Sequence, residues 1–164
     1  MKQHTSAESF NGSKHTVVTI GTFDGVHLGH KKIIDRLLAS AYNNDLESVV
    51  LTFFPHPRMV LQKDTQIKLI NSIAERKALL EATTLDHLII HPFTQDFSRL
   101  TAEEFVKTIL VDQLKAHKVI IGYDHHFGRN RNANIDDLKE YGKQYNFEVE
   151  EISKQDVDDV AVSS

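Results

Sequence analysis

The sequence predicts an α/β fold built on a doubly wound, mostly parallel sheet of about five strands. Two observations carry this. Short runs rich in Val and Ile recur along the chain, each continuously apolar, as strands covered on both faces must be. Between them, apolar residues recur at helical spacing, so strand alternates with helix as in parallel strands joined by crossover helices.

The first apolar run covers residues 17–20, Val-Val-Thr-Ile, and is followed by Gly21-Thr22-Phe23-Asp24-Gly25-Val26-His27-Leu28-Gly29-His30. From near Lys31 a helix is expected, because Ile33, Ile34, Leu37, Leu38 and Ala41 fall on one face. The second run, 49–53, leads into Thr52-Phe53-Phe54-Pro55-His56-Pro57-Arg58. Ser72-Ile73-Ala74-Glu75 fits a capping box that opens a helix. The third run, 88–90, is flanked by His87 and His91, read as strand-end residues rather than ligands. Phe93, Phe97, Leu100 and Phe105 read as core and docking contacts of the helix opened by a second capping box, Thr101-Ala102-Glu103-Glu104. The fourth run, 119–121, leads into Gly122-Tyr123-Asp124-His125-His126-Phe127-Gly128-Arg129-Asn130-Arg131-Asn132, a loop expected to lie on the surface. Asn134 with Asp137 caps a helix through Leu138 and Tyr145, and the alternation over 147–150 fits an edge strand. Asp156, Asp158 and Asp159 read as a solvated acidic turn.

A chain of 164 residues is the size of one domain, and no repeat or low-complexity tract divides it. Residues 1–15 read as a lead-in and 16–164 as the domain. The absence of cysteine excludes disulfides and thiolate metal sites and fits a reducing cytoplasm, the expected location. No apolar run approaches the length of a membrane span, and the N-terminus opens no secretory apolar region. A net charge of −4 provides no field for gathering nucleic acid. Small anions remain possible ligands.

The segment from Gly21 to His30 has the layout of a nucleotide-phosphate pocket. A tight turn after a buried parallel strand aims the free N–H groups of the next helix at the space above the sheet, where the helix dipole favours an anion. His27 and His30 lie three residues apart and share one helical face, so two imidazoles can meet a polyphosphate there. A zinc site would need a third ligand, and the segment offers Asp24 but no HExxH arrangement. Pro55-His56-Pro57 makes a stiff loop that suits an aromatic ligand or, more simply, a packed connection. In the third loop, arginine forks can grip phosphate and Asp124 can accept from a ribose. Asp124, His125 and His126 could also be read as metal ligands, although adjacent side chains seldom converge on one ion.

Taken in order, these residues resemble the adenylyltransferase module of bacterial bifunctional riboflavin kinase/FAD synthetases, from about Thr16 to Ser164. Gly21 through His30 is similar to that family's form of the HxGH nucleotidyltransferase motif, Thr52-Phe53-Phe54-Pro55-His56-Pro57 to its flavin-side loop, and Gly122-Tyr123-Asp124 with Phe127-Gly128 to its second nucleotide and flavin loop. Phe93, Phe97, Leu100, Glu104, Phe105 and Val106 match the segment before its fourth strand. His125 stands where that pattern usually has Phe, and Ala133 where Gly is common. Val162-Ser163-Ser164 resembles the opening of the family's Ser-Ser-Thr-x-Ile-Arg motif, cut short, so the chain is expected to be a C-terminally shortened module without its riboflavin kinase domain.

The resemblance implies a Rossmann-like sheet and transfer of AMP from ATP to FMN, giving FAD and pyrophosphate, with Mg²⁺ carried mainly by the ATP phosphates and no structural metal. It implies His27 and His30 as catalytic residues. Gly21, Thr22, Phe23, Asp24, Gly29, Asp124, Ser163 and Ser164 would join them in nucleotide binding, and Phe54, Pro55, His56, Pro57, Asp124, Phe127 and Arg129 would bind flavin. Three other readings remain open: an HxGH nucleotidyltransferase acting on pantetheine phosphate, nicotinamide mononucleotide or a polyol phosphate; a nucleotide- and flavin-binding fragment without turnover; and a metal-dependent hydrolase using some of the ten histidines.

Overall fold

The computed structural model of the chain describes residues 1–10, 12, 14–21, 28–54, 80–81, 83–122, 125–129 and 132–152, and for 28–31 the backbone alone. The described strands are β1 (Lys2–His4), β2 (Thr16–Ile20), β3 (Glu47–Phe54), β4 (His87–Pro92), β5 (Ala116–Gly122) and β6 (Glu148–Ile152). They form one sheet in the order β1-β4-β3-β2-β5-β6, with every pairing parallel. The described helices are α1 (Leu28–Asn44), α2 (Gln95–Ser98), α3 (Ala102–Phe105), which runs on as a π-helical segment (Val106–Gln113), and α4 (Ile135–Tyr145).

The four apolar runs are β2 to β5, and the alternating segment lies in β6 at one edge of the sheet. The expectation of about five strands names no element for the sixth described strand. It is β1, inside the segment expected to be a lead-in, and Lys2-Gln3-His4 has no apolar pattern because it pairs on the outer edge through its backbone. The capping boxes at Thr101 and Asn134 form as expected, each side chain accepting from the N3 amide while Glu104 or Asp137 reaches back. The helix that Thr101 opens relaxes after one turn into wider i→i+5 bonding, which ends with the Leu114 N–H donating to the Ile109 carbonyl at 2.9 Å. The helix expected from Ser72 and the acidic turn at 156–159 lie outside the described residues.

Helices cover both faces. On one, Ile33, Ile34, Leu37 and Ala41 of α1 pack with Val17, Val50, Leu88 and Ile120. On the other, Val18, Leu51, Ile89, Val119 and Ile121 lie beneath Phe105, Val106, Ile109 and Leu110, beneath Leu138 of α4, and beneath Ala7 and Phe10 from the N-terminal arm. Leu37 and Leu110 are each fully buried, which contributes roughly 1.5–3 kcal/mol per side chain.

The two ends of the sheet differ. At the amino end α1, the π-helical segment and α4 each return to a strand through two residues, Asp45 and Leu46, Leu114 and Lys115, and Asn146 and Phe147. Asp45, Lys115 and Asn146 stop the helices by taking left-handed φ values of 52°, 54° and 66°. At the carboxyl end the chain instead takes residues 21–27 to pass from β2 to α1, and 123–134 to pass from β5 to α4. In open parallel sheets ligands bind beyond that end. From β2 the chain goes through α1 to β3 on one flank, and later returns to lay β5 on the other, so the carboxyl ends of β2 and β5 border the topological switch point.

Candidate active site

All three segments singled out in the sequence leave the sheet at its carboxyl edge. Gly21 follows β2, Phe54 is the last residue of β3, and Gly122 is the last residue of β5. Adjacent strands in parallel register bring these ends together, with Ile20 opposite Leu51 and Val18 opposite Val119. The Gly21 N–H donates to the Leu51 carbonyl at 3.1 Å, which ties the start of the first segment to β3.

Gly29 and His30 are the second and third residues of α1, a 17-residue helix with no acidic residue in its first turn to compete for an anion. Thr22, Phe23, Asp24 and His27 lie outside the described residues, as do Pro55, His56, Pro57, Asp124, Ser163 and Ser164. Phe54 is half exposed, one of two large hydrophobics on the described surface. Its neighbour Phe53 packs toward the α3 side of the sheet, so strand alternation sets Phe54 on the α1 side, the face from which the first helix rises.

Phe127 departs from the expected surface loop. Its ring is buried, 6.0 Å from Phe105, and the loop closes on itself through reciprocal backbone bonds between Phe127 and Ala133. The cause is apolar: a loop that lays its one buried ring against Phe105 gains by removing both from water. His125 stacks beside that ring at 6.5 Å, while His126 and Arg129 are exposed. Among the described residues no group of three His, Asp or Glu side chains is arranged to hold a metal ion.

A row of rings connects the second and third segments on the α3 side. Phe53 lies 5.4 Å from Phe97, Phe97 lies 6.1 Å from Phe105, and Phe105 meets Phe127. Phe97 and Phe105 thus dock a helix as expected, and they also meet Phe53 of β3 and Phe127 of the third segment.

His87 and His91 stand near the ends of β4, as expected of strand-end residues, yet both are buried and bonded. His87 bonds through Nε2 to Glu47 at 2.5 Å and through Nδ1 to His4 Nε2 at 3.1 Å. His91 Nδ1 accepts from the Ala7 N–H at 2.9 Å, and its ring lies 4.8 Å from Phe97. Burial holds the His91 pKa below its ordinary value, partly opposed by Glu8, so the ring stays neutral and able to accept. No local motif announces these bonds, because their partners lie 40, 83 and 84 residues away in sequence.

A family model described as FAD synthetase matches residues 10–164. A bifunctional riboflavin kinase/FMN adenylyltransferase of Buchnera aphidicola subsp. Schizaphis graminum is 39% identical over 86% of this chain and 45% of its own length. The protein of that description from Escherichia coli K12 is 29% identical over 81% of this chain and 42% of its own. A protein named FAD synthetase from Listeria monocytogenes is 28% identical over 98% of this chain and 65% of its own. The chain therefore spans about half the length of the bifunctional relatives it matches. A crystal structure described as a macrolide-efflux protein from Streptococcus pneumoniae superposes with a TM-score of 0.78 at 26% identity, over 92% of this chain and 49% of that one. Among the described residues no helix is long and apolar enough to cross a membrane. Because the family match runs from residue 10 to residue 164 and so takes in all three carboxyl-edge segments, the chain belongs to the FAD synthetase family.

Proposed function

We propose that this chain transfers AMP from ATP to FMN, forming FAD and pyrophosphate. The observation that carries the reading is that β2, β3 and β5, the strands that lead into the glycine- and histidine-bearing segment, the proline loop and the Asp124 loop, are neighbours that all end at one edge of a parallel sheet, beside its switch point. The printed names of the relatives, FMN adenylyltransferase and FAD synthetase, support it.

In this proposal an FMN phosphate oxygen attacks the α-phosphorus of ATP in line, the bond to the β-phosphate oxygen breaks, and pyrophosphate leaves without a covalent enzyme intermediate. The protein then contributes positioning and stabilisation of charge on the phosphoryl oxygens. His27, His30 and the free N–H groups at the start of α1 would grip the triphosphate, with Gly21, Thr22, Phe23, Asp24, Gly29, Ser163 and Ser164 around the nucleotide. Asp124 would position ribose or the flavin phosphate. Phe54, Pro55, His56 and Pro57 would line the flavin side together with Arg129, with Phe127 as the buried anchor of its loop. Mg²⁺ arrives on the triphosphate as part of the substrate. Free ATP and FMN as substrates fit a cytoplasmic enzyme, and the doubled length of the bifunctional relatives supports a riboflavin kinase domain in the whole protein.

Calorimetric titration with Mg²⁺–ATP and with FMN, followed by chromatography of the mixed reaction, tests the proposal. It requires binding of both ligands and a FAD peak. Absence of FMN binding would overturn it, and binding of both without FAD would favour a flavin- and nucleotide-binding module.

A further inference from the structure

The N-terminal arm, residues 1–10, lies almost wholly before the family match, which begins at residue 10. It is nevertheless built into the fold. Its strand extends the sheet beyond β4, with Lys2 opposite His87 and His4 opposite Ile89. A turn then folds it over the α3 face of β4, where Ala7 and Phe10 are buried. Phe10 sits against His4 and His87, 5.2 and 4.9 Å away between ring centroids. Ala7 donates its buried N–H to His91.

His91 faces two ways. Its Nδ1 holds the arm, and its ring packs against Phe97 and edge-on against Phe53, which is 6.5 Å away. Phe53 lies opposite His91 in the β3–β4 register, immediately before the exposed Phe54 and the proline loop. A buried amide held by one acceptor is a discrete contact, since losing that acceptor leaves the N–H without a partner and expels the arm.

We infer that His91 is a positioning residue for the acceptor side of the site, and that the docked arm, acting through the His91 ring on Phe97 and Phe53, sets the wall against which the flavin binds. The inference rests on the proposed use of FMN. β3 separates the His91 strand from β2, which leads into the proposed triphosphate segment, so the effect falls on the flavin and leaves ATP untouched.

Coupling between arm and flavin must be reciprocal, because each biases the same arrangement of rings. In the unaltered chain, saturation with FMN should slow hydrogen exchange of the Ala7 amide about tenfold, whereas saturation with Mg²⁺–ATP should leave it unchanged. In the variants, His91→Phe keeps a ring and loses the acceptor, and Ala7→Pro removes the donor. Each should weaken FMN binding, followed by flavin fluorescence, about tenfold, and the double variant should be no weaker than either single one. Mg²⁺–ATP affinity should stay within about twofold, and His91→Asn, which restores an acceptor near the Nδ1 position, should recover part of the loss.

Unchanged Ala7 exchange in FMN-saturated protein overturns the inference even if the variants fail to fold. Equal weakening of FMN and ATP overturns it as well, since that marks general loosening of the sheet. If the unaltered chain binds no FMN, the proposed function fails and this inference with it; if FMN binds but neither Ala7 exchange nor variant affinity responds, only this inference fails.

Discussion

Gly128 rests against the backbone of Ala102, so that a Cβ built on it would stand 2.9 Å from the Ala102 Cα and amide nitrogen. Its φ of 78° is one that side chains disfavour. Both facts pin the Asp124 loop to the first turn of α3, beside the Phe105–Phe127 contact. The atoms in the way are backbone and cannot rotate aside.

Gly128→Ala should therefore destabilise the fold by about 1–3 kcal/mol, from backbone strain together with the clash. Thermal melting measures this directly. A variant that melts within a degree or two of the parent would mean that the loop does not press on α3. Ala133, the other side of the same loop closure, offers a control, because Ala133→Gly removes only a methyl group and should cost no more than about 1 kcal/mol.

Acid should weaken the fold in two stages. His4 and His91 both have pKa values held below the ordinary 6.5, mainly by burial, with His87 and Lys2 adding to the effect at His4. The unfolded chain takes up these protons first, so stability is full above about 6.5 and falls as pH drops through the lower folded values. At Glu150 burial pushes the pKa up, but hydrogen bonds from Lys118 and Arg36, with their charges, outweigh it and bring it below the ordinary 4.5. Its contribution is therefore present above about 4.5 and disappears only in stronger acid. Urea midpoints measured across pH should show both stages, and His91→Phe should flatten the upper one. A parent midpoint that is constant from pH 7 to about 5 would contradict the buried, neutral state of His91.

What was legible in the sequence follows from range. β2 to β5 are continuous apolar runs because helices cover both faces, and that pattern needs no knowledge of partners. The caps at Thr101 and Asn134 are equally local, each closing over three residues. Because parallel topology sends the strands before the glycine, proline and Asp124 segments to one edge, their chemistry can be grouped from the sequence alone. β1 was illegible, since Lys2-Gln3-His4 joins the sheet through backbone alone. His91 was read only as a strand end because its acceptor role depends on an amide in another part of the chain. The burial of Phe127 in a loop expected on the surface is illegible locally, because its ring partner Phe105 belongs to another element.

His30→Ala should lower adenylyl transfer by about 10²–10³, equivalent to about 3–4 kcal/mol, if the imidazole serves charge on the transferring phosphate as an oxyanion donor does. The melting temperature should barely move, because the third position of a helix tolerates Ala well. Steady-state FAD formation measures the loss. Near-normal turnover would remove His30 from the chemistry and shift the role to the helix amides. The dipole at the start of α1 disfavours an imidazolium, whereas a bound triphosphate favours it, so a pH profile of the parent tells which field prevails.

Phe54 allows the flavin wall to be tested apart from stability. At 50% exposed it gives the core little, so Phe54→Ala should change the unfolding free energy by less than about 1 kcal/mol. An apolar ring held at a strand end, with Phe53 anchored behind it among Phe93 and Phe97, loses little entropy when a flat aromatic ligand covers it. Its removal should weaken FMN binding about tenfold and leave Mg²⁺–ATP binding unchanged. Phe54→Tyr, which retains the ring, should bind FMN as the parent does. If alanine instead weakens the nucleotide, then Phe54 faces the adenine side, and the flavin must enter from the Arg129 loop across the switch point.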